Sequence, residues 1–346
     1  MLNRAIFILL LSFGVIGIAI GRHDPGPLFS ADIHDPKGAF FWYALVGADD
    51  SQSPQLMLDL ASGDLELFIC NDTHAPPEGF SNRCYNPNLS KTFVQLSNNT
   101  AMDTIHSYTP DIDPFSYPNT TFITKFKPGY HDAETAKGGI LGLSWPSLAR
   151  SPKTYFVQTL LKHYKLKNMF SLMFGCAGAH FWGEDCTDVE SGQKPHYVPV
   201  TSQGFWQFAL LGFKFGSISQ TLNAQAVVTS TKGYIGMPKK YLSKMMNTYG
   251  IQWDGLYNSY SVNCDVTGLP DFKIMIQGTT ITIQPDQYIY KKKRLPNQRC
   301  VVNFEDSKTN GFGPEWYFGI PLMQAQCMTF DFDEKRIGFT TNTLTC

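Results

Sequence analysis

The chain has 346 residues, a net charge of −1 and a pI near 6.7. That is length for two ordinary domains with real cores, and the balanced charge gives no electrostatic footprint for a nucleic acid. Apolar residues make up 43% and aromatic residues 14%, which excludes a disordered chain.

The first twenty-one residues read as a secretory signal. Arg4 supplies a basic start, Ala5 to Ile20 an apolar run, and Ala19-Ile20-Gly21 a small-residue cleavage site. Sixteen apolar residues fall short of the roughly 20 that span a bilayer. The expected mature chain therefore begins near Arg22 and is not held in a membrane. Eight cysteines, an even count, and four Asn-x-Ser/Thr triplets at Asn71, Asn88, Asn98 and Asn119 agree with a secretory route. Export out of the cell is the first expectation and a lysosomal destination the alternative.

Beyond the signal, strand-like runs dominate: Phe40 to Val46, Gln55 to Leu60, Met169 to Phe174, Trp206 to Phe213, Phe272 to Ile276 and Thr280 to Ile283. Two segments read as helices. Ser151-Pro152 offers a cap and a first-turn proline ahead of Tyr155, Leu160, Leu161 and Tyr164. Pro238 opens a second, with Leu242, Met245, Met246 and Tyr249 on one side and Gly250 at its end. The expectation is a mostly β protein with two or three short helices.

The halves echo each other. Leu56-Met57-Leu58-Asp59-Leu60-Ala61-Ser62 is an apolar strand running into a polar turn, and Ala226-Val227-Val228-Thr229-Ser230-Thr231 repeats it 170 residues later. Downstream of the first lies Gly138-Gly139-Ile140-Leu141-Gly142-Leu143; downstream of the second lies Trp316-Tyr317-Phe318-Gly319-Ile320. A strand-turn unit followed each time by an apolar strand around glycine is the mark of a duplicated lobe.

These residues resemble the pepsin-like aspartic proteases, which carry Asp-Thr-Gly-Ser/Thr after an apolar strand in each lobe and an apolar-apolar-Gly strand behind it. Further matches, in order, are Tyr197-Val198-Pro199-Val200-Thr201 with Gly204-Phe205-Trp206-Gln207, then Tyr260-Ser261-Val262-Asn263-Cys264 with Leu269-Pro270-Asp271, and finally Met328-Thr329-Phe330-Asp331 with Arg336-Ile337-Gly338-Phe339. The likeness runs from about residue 38 to 342. It implies a mostly β, bilobal acid-protease fold with two pseudo-symmetric lobes, short helices and an interlobe cleft. The expected divisions are a signal over 1–21, a short segment over 22–37, an N-terminal lobe over 38–195 and a C-terminal lobe over 196–346.

The family layout also implies the bridges Cys70–Cys84 and Cys264–Cys300. Cys176–Cys186 and Cys327–Cys346 are then the pairs nearest in sequence, although spacing alone leaves the pairing of these four open.

The family's chemistry needs two carboxyls about 3 Å apart that share one proton, one acting as base on a water and the other polarising the scissile carbonyl. Asp59 stands at the first position. Thr229 stands at the second, and its hydroxyl can neither share that proton nor raise its neighbour's pKa by repulsion. Asp59 is thus expected to act as a single hydrogen-bonded carboxylate. Around it, Leu60, Ala61, Thr231 and Lys232 depart from the motif, Ala61 and Thr231 adding Cβ atoms where the family has glycine, while Ser62 and Ser230 keep hydroxyls. No Tyr-Gly-Thr/Ser-Gly flap string occurs between Phe93 and Gly138; His106-Ser107-Tyr108-Thr109 is the nearest, with Tyr108 as the candidate flap tyrosine. The stretch between Gly21 and Ala39 is too short for the family's basic propeptide.

Rival chemistries are weaker. No His-Glu-x-x-His or paired metal spacing exists among the eight histidines, so no metal or cofactor is expected, and His163 and His196 read as ordinary structural or surface residues. Ser62, Ser144 and Ser230 lack a Gly-x-Ser-x-Gly context. The run Lys291-Lys292-Lys293-Arg294 reads as a solvated loop tip. The expectation is a monomeric, non-catalytic homologue binding a peptide, protein or glycan through its cleft or loops. The alternative is a divergent endopeptidase centred on Asp59.

Overall fold

The computed structural model describes residues 29–31, 41–46, 54–70, 84–109, 112–125, 138–163, 165–174, 178–187, 192–265, 268–291, 294–295, 297–309 and 313–342. The expected signal, Asn71, Cys176 and Cys346 lie outside them.

Each half builds the same knot of strands. In the first, Gln55–Asp59 runs parallel to Gly139–Gly142, which lies antiparallel to Leu65–Phe68, itself parallel to Ile112–Lys125. In the second, Ile218–Val228 runs parallel to Trp316–Phe318, which lies antiparallel to Ile235–Met237, itself parallel to Phe304–Asp306. The repeated sequence pattern is therefore a repeated topology, embedded in one seven-stranded sheet per half. Every residue of the strands Leu65–Phe68 and Gly139–Gly142 is buried, since both of their faces are covered, and all but Glu66 are apolar or glycine.

A six-stranded sheet joins the halves. Its strands are, in order, Phe29–Ala31, Gly178–Trp182, Met169–Met173, Gln326–Asp331, Arg336–Thr341 and His196–Pro199. The expected lobe boundary between residues 195 and 196 falls at the last strand of this sheet, to which both halves contribute. Beneath it Phe170 stacks on Phe330 with centroids 4.9 Å apart, and Trp206 packs on Phe330, Phe332 and Trp145. Trp206 also donates from its indole nitrogen to the Leu143 carbonyl at 2.9 Å, and the Ser144 hydroxyl donates to the Gly204 carbonyl at 2.9 Å. Core and hydrogen bonds thus cross from one half to the other, and Ser144 is spent on that joint.

The expected second helix spans Lys239–Tyr249. Leu242 and Met245 are buried, and Gly250 ends it with φ 67°, the left-handed conformation for which glycine is suited. The first covers Val157–His163, six residues later than Ser151 suggested. Asp64 bridges to Tyr155, and the Leu65 N–H donates to the Thr154 carbonyl at 2.9 Å, drawing residues 154–155 to the sheet edge. Ser151 instead caps a turn, accepting from the Thr154 N–H at 3.3 Å. Short α-helices over Pro285–Tyr288 and Ile320–Ala325 and single 3-10 turns over Pro87–Leu89 and Pro146–Leu148 complete the described set.

The bridges Cys70–Cys84 and Cys264–Cys300 form as the family layout implied. The other pairing is corrected: Cys186 bonds to Cys327, not to Cys176. Antiparallel pairing of Leu172 with Met328 and Ser171 with Thr329 brings distant segments together, and the Cys186 N–H donates to the Thr329 hydroxyl at 3.0 Å. Sequence proximity misleads because the sheet, not the local chain, places these sulfurs.

Candidate active site

Asp59 ends its strand with 5% of its surface exposed, opposite Gly142 in the parallel ladder. Thr229 follows Val228 at the matching point of the second half, 2% exposed, and its N–H donates to the Phe318 carbonyl at 3.0 Å. Ser230 stitches the two turns together. Its hydroxyl donates to the Leu58 carbonyl at 2.7 Å and accepts from the Leu60 N–H at 3.0 Å, so the residues on both sides of Asp59 hang on one buried side chain. Leu60 offers no reciprocal bond; its side chain is fully buried.

Each turn organises itself differently. The Asp59 carboxylate accepts from the Ala61 N–H at 2.7 Å, and the Asp59 carbonyl accepts from the Leu143 N–H at 2.8 Å. Ser62 accepts from the Asp64 N–H at 3.2 Å, which commits its hydroxyl to its own turn. Thr229 places its hydroxyl 3.2 Å from that of Thr231 and accepts weakly from the Thr231 N–H at 3.4 Å. Neither Ala61 nor Thr231 has positive φ, so the Cβ atoms gained at these positions introduce no left-handed strain. The glycines that cannot change are behind the turns. A Cβ on Gly142 would lie 2.6 Å from the Ser62 carbonyl oxygen, and one on Gly319 would lie 2.0 Å from that of Lys232.

Burial pushes the Asp59 carboxyl from 3.8 up to about 6, against the Ala61 hydrogen bond; Glu66 adds to the rise and the Lys232 ammonium opposes it. The lift expected to vanish with the second carboxyl is thus supplied by desolvation. Lys232 was legible in the sequence only as a departure from the motif. Its ammonium donates to the Tyr234 hydroxyl at 2.9 Å and lies 5.2 Å and 6.0 Å from the ring centres of Tyr234 and Tyr317. Among the described residues no carboxylate forms an ion pair with it. Glu66, also missed in the sequence, is buried and pairs with Lys125 at 2.5 Å.

The remaining predicted residues fall elsewhere. Tyr108 lies on the strand Thr100–Thr109, one residue before the last ladder pair, Thr109 with Ile112, so a hairpin exists where no flap string is written. Asn88, Asn98 and Asn119 are exposed, as an acceptor asparagine must be. His196 bonds the Gln277 carbonyl at 2.7 Å, and exposed Arg294 pairs with Asp265 at 3.4 Å.

A family model described as eukaryotic aspartyl protease matches residues 46–342. The chain belongs to that family. Among the relatives of this chain, aspartic protease 10 of Caenorhabditis elegans is 27% identical over 244 residues, 66% of the chain and 56% of the relative. Gastricsin of Callithrix jacchus is 25% identical over 278 residues, 74% and 70% of the two chains, and human gastricsin is 26% identical over 244 residues, 66% and 61%. The chain spans a little over half the length of the first nematode relatives it matches. Among the described residues no helix is long and apolar enough to cross a membrane.

Proposed function

We propose that this aspartyl protease family member is an exported, monomeric homologue that does not cleave peptide bonds and holds a peptide or protein segment in the cleft between its halves. One observation carries the reading: at the point where the second turn repeats Asp59, the side chain is the Thr229 hydroxyl, bonded to its own turn. The family reaction asks for a base and an acid at the same moment. Asp59, titrating near 6, is an acid below that pH and a base above it, but a single group is never both at once. The alternative endopeptidase reading, in an acidic compartment, draws on the same raised carboxyl and on the Ser230 stitch that keeps its turn in place.

The purified protein, incubated with denatured globin from about pH 3 to pH 6, is expected to leave it intact. Pepstatin-sensitive cleavage that disappears in Asp59→Ala would overturn the proposal. Thr229→Asp alone is also expected to remain inactive, since Leu60 still gives no reciprocal stitch and Lys232 still sits beside the turn. Strong cleavage by that variant would show that one residue, and not the wider loop chemistry, silences the centre.

A further inference from the structure

The second half carries a pocket that the Asp59 centre does not use. A four-stranded sheet, Gln252–Asp254, Ser259–Asn263, Arg299–Val302 and Ile289–Tyr290 in order, places Trp253 opposite Tyr260 and Tyr260 opposite Val302. Cross-strand partners share a face, and the two rings meet with centroids 4.8 Å apart at 60°. Trp253 is 49% exposed, whereas Trp182, Trp206 and Trp316 are fully buried. Its indole borders an open pocket of about 100 Å³, walled also by Tyr234, Asn258, Ser259, Tyr260 and Glu305.

The polar wall is poorly satisfied from within. Ser259 Oγ is hidden from solvent and has no hydrogen-bond partner. Asn258, at φ 46°, ends a turn held by the Leu256 N–H on Asp254 at 3.1 Å and by Asn297 on Asp254 at 2.7 Å. The one carboxylate in the wall is that of Glu305; the Tyr234 phenol beside it takes a hydrogen bond from the Lys232 ammonium at 2.9 Å.

We propose that this pocket binds the pyranose ring of a neutral carbohydrate. Such a ring has an apolar C–H face for the half-exposed indole and a rim of hydroxyls that give and take hydrogen bonds, matching Asn258, Ser259 and Glu305. A wholly apolar ligand leaves these groups unpaired, at about 1–3 kcal/mol for each buried one. A compact cation such as a quaternary ammonium matches the rings and Glu305 but leaves the hidden Ser259 hydroxyl without a hydrogen-bond partner.

The test uses the full-length protein, enzymatically freed of its own glycans. It is titrated with a panel of methyl hexopyranosides and their short oligosaccharides, read by tryptophan fluorescence and by saturation-transfer NMR. At least one sugar is expected to bind saturably, with a dissociation constant around 1 mM or below. Trp253→Ala should weaken it by about tenfold or more and Trp253→Phe less, as loss of a stacked ring predicts. Asp59→Ala should bind like the native chain, which separates this site from the cleft. Absence of saturable binding by every sugar, or binding untouched in a folded Trp253→Ala, overturns the proposal. So does saturable binding of tetramethylammonium or acetyl-arginine amide with no sugar binding.

Discussion

At the scale of single residues the centre turns on what one carboxylate does when its neighbour is a hydroxyl. Asp59 keeps a raised pKa without a second acid, because a buried carboxylate loses hydration that one N–H from Ala61 does not replace. The folded protein therefore holds this proton more tightly than the unfolded chain. The stability the group contributes is complete below about pH 4 and is lost as the pH rises through about 6. The shift of about two units corresponds to about 3 kcal/mol. Asp59→Asn removes the dependence while keeping an oxygen for the Ala61 N–H. Urea denaturation across the pH range should show this variant gaining about 2–3 kcal/mol on the native chain between pH 4 and pH 7. A native-minus-variant difference that stays flat with pH would refute the burial of this charge. The position of Asp59 was legible in the sequence from its motif. Its titration was not, since the burial that raises it exists only in the folded packing.

At the scale of elements, strands with strong apolar runs were legible nearly to the residue, because turn residues bound them on both sides. Phe272–Ile276 and Met169–Met173 are examples. The helix over Ile320–Ala325 was not, since five of its six residues are buried and no polar face betrays a period. The start of Val157–His163 was misplaced because a backbone bond from Leu65 to Thr154 overrides a good local cap. Glycines show the same contest between local and tertiary demands. Gly250 needs only its left-handed φ and has open space where a Cβ would go, whereas Gly319 passes directly under the Lys232 and Tyr234 carbonyls. Gly250→Ala should cost about 1 kcal/mol. Gly319→Ala should cost more than about 4 kcal/mol, because both obstacles are backbone and must move the second turn with them. Thermal and urea unfolding of the pair checks the ranking. Equal losses would mean that the turn carrying Thr229 and Lys232 gives way easily.

At the scale of the whole molecule, the duplicated lobe could be read from the sequence because each half repeats a strand, a hydroxyl-rich turn and a glycine-centred strand at the same order. The sheet that unites the halves could not, since its pairings, such as Ser171 with Thr329, join residues 158 apart through no local signal. The corrected disulfide belongs to this joint. Cys186–Cys327 closes a separation of 141 residues, against 36 for Cys264–Cys300 and 14 for Cys70–Cys84. If a bridge acts mainly on the unfolded chain, its effect grows with the logarithm of the loop, giving roughly 5, 4 and 3 kcal/mol respectively. The bridge also fixes Cys186 beside Thr329, whose hydroxyl is shared with Ser171 in the buried middle of the sheet. The double variant Cys186→Ser with Cys327→Ser should therefore lose the most stability of the three bridge deletions, and should unfold with both halves in a single transition shifted down. A loss smaller than that of the Cys70–Cys84 deletion would sink this ordering. Separation into two transitions would instead mean that the disulfide, rather than the Trp206 core, makes the halves cooperate.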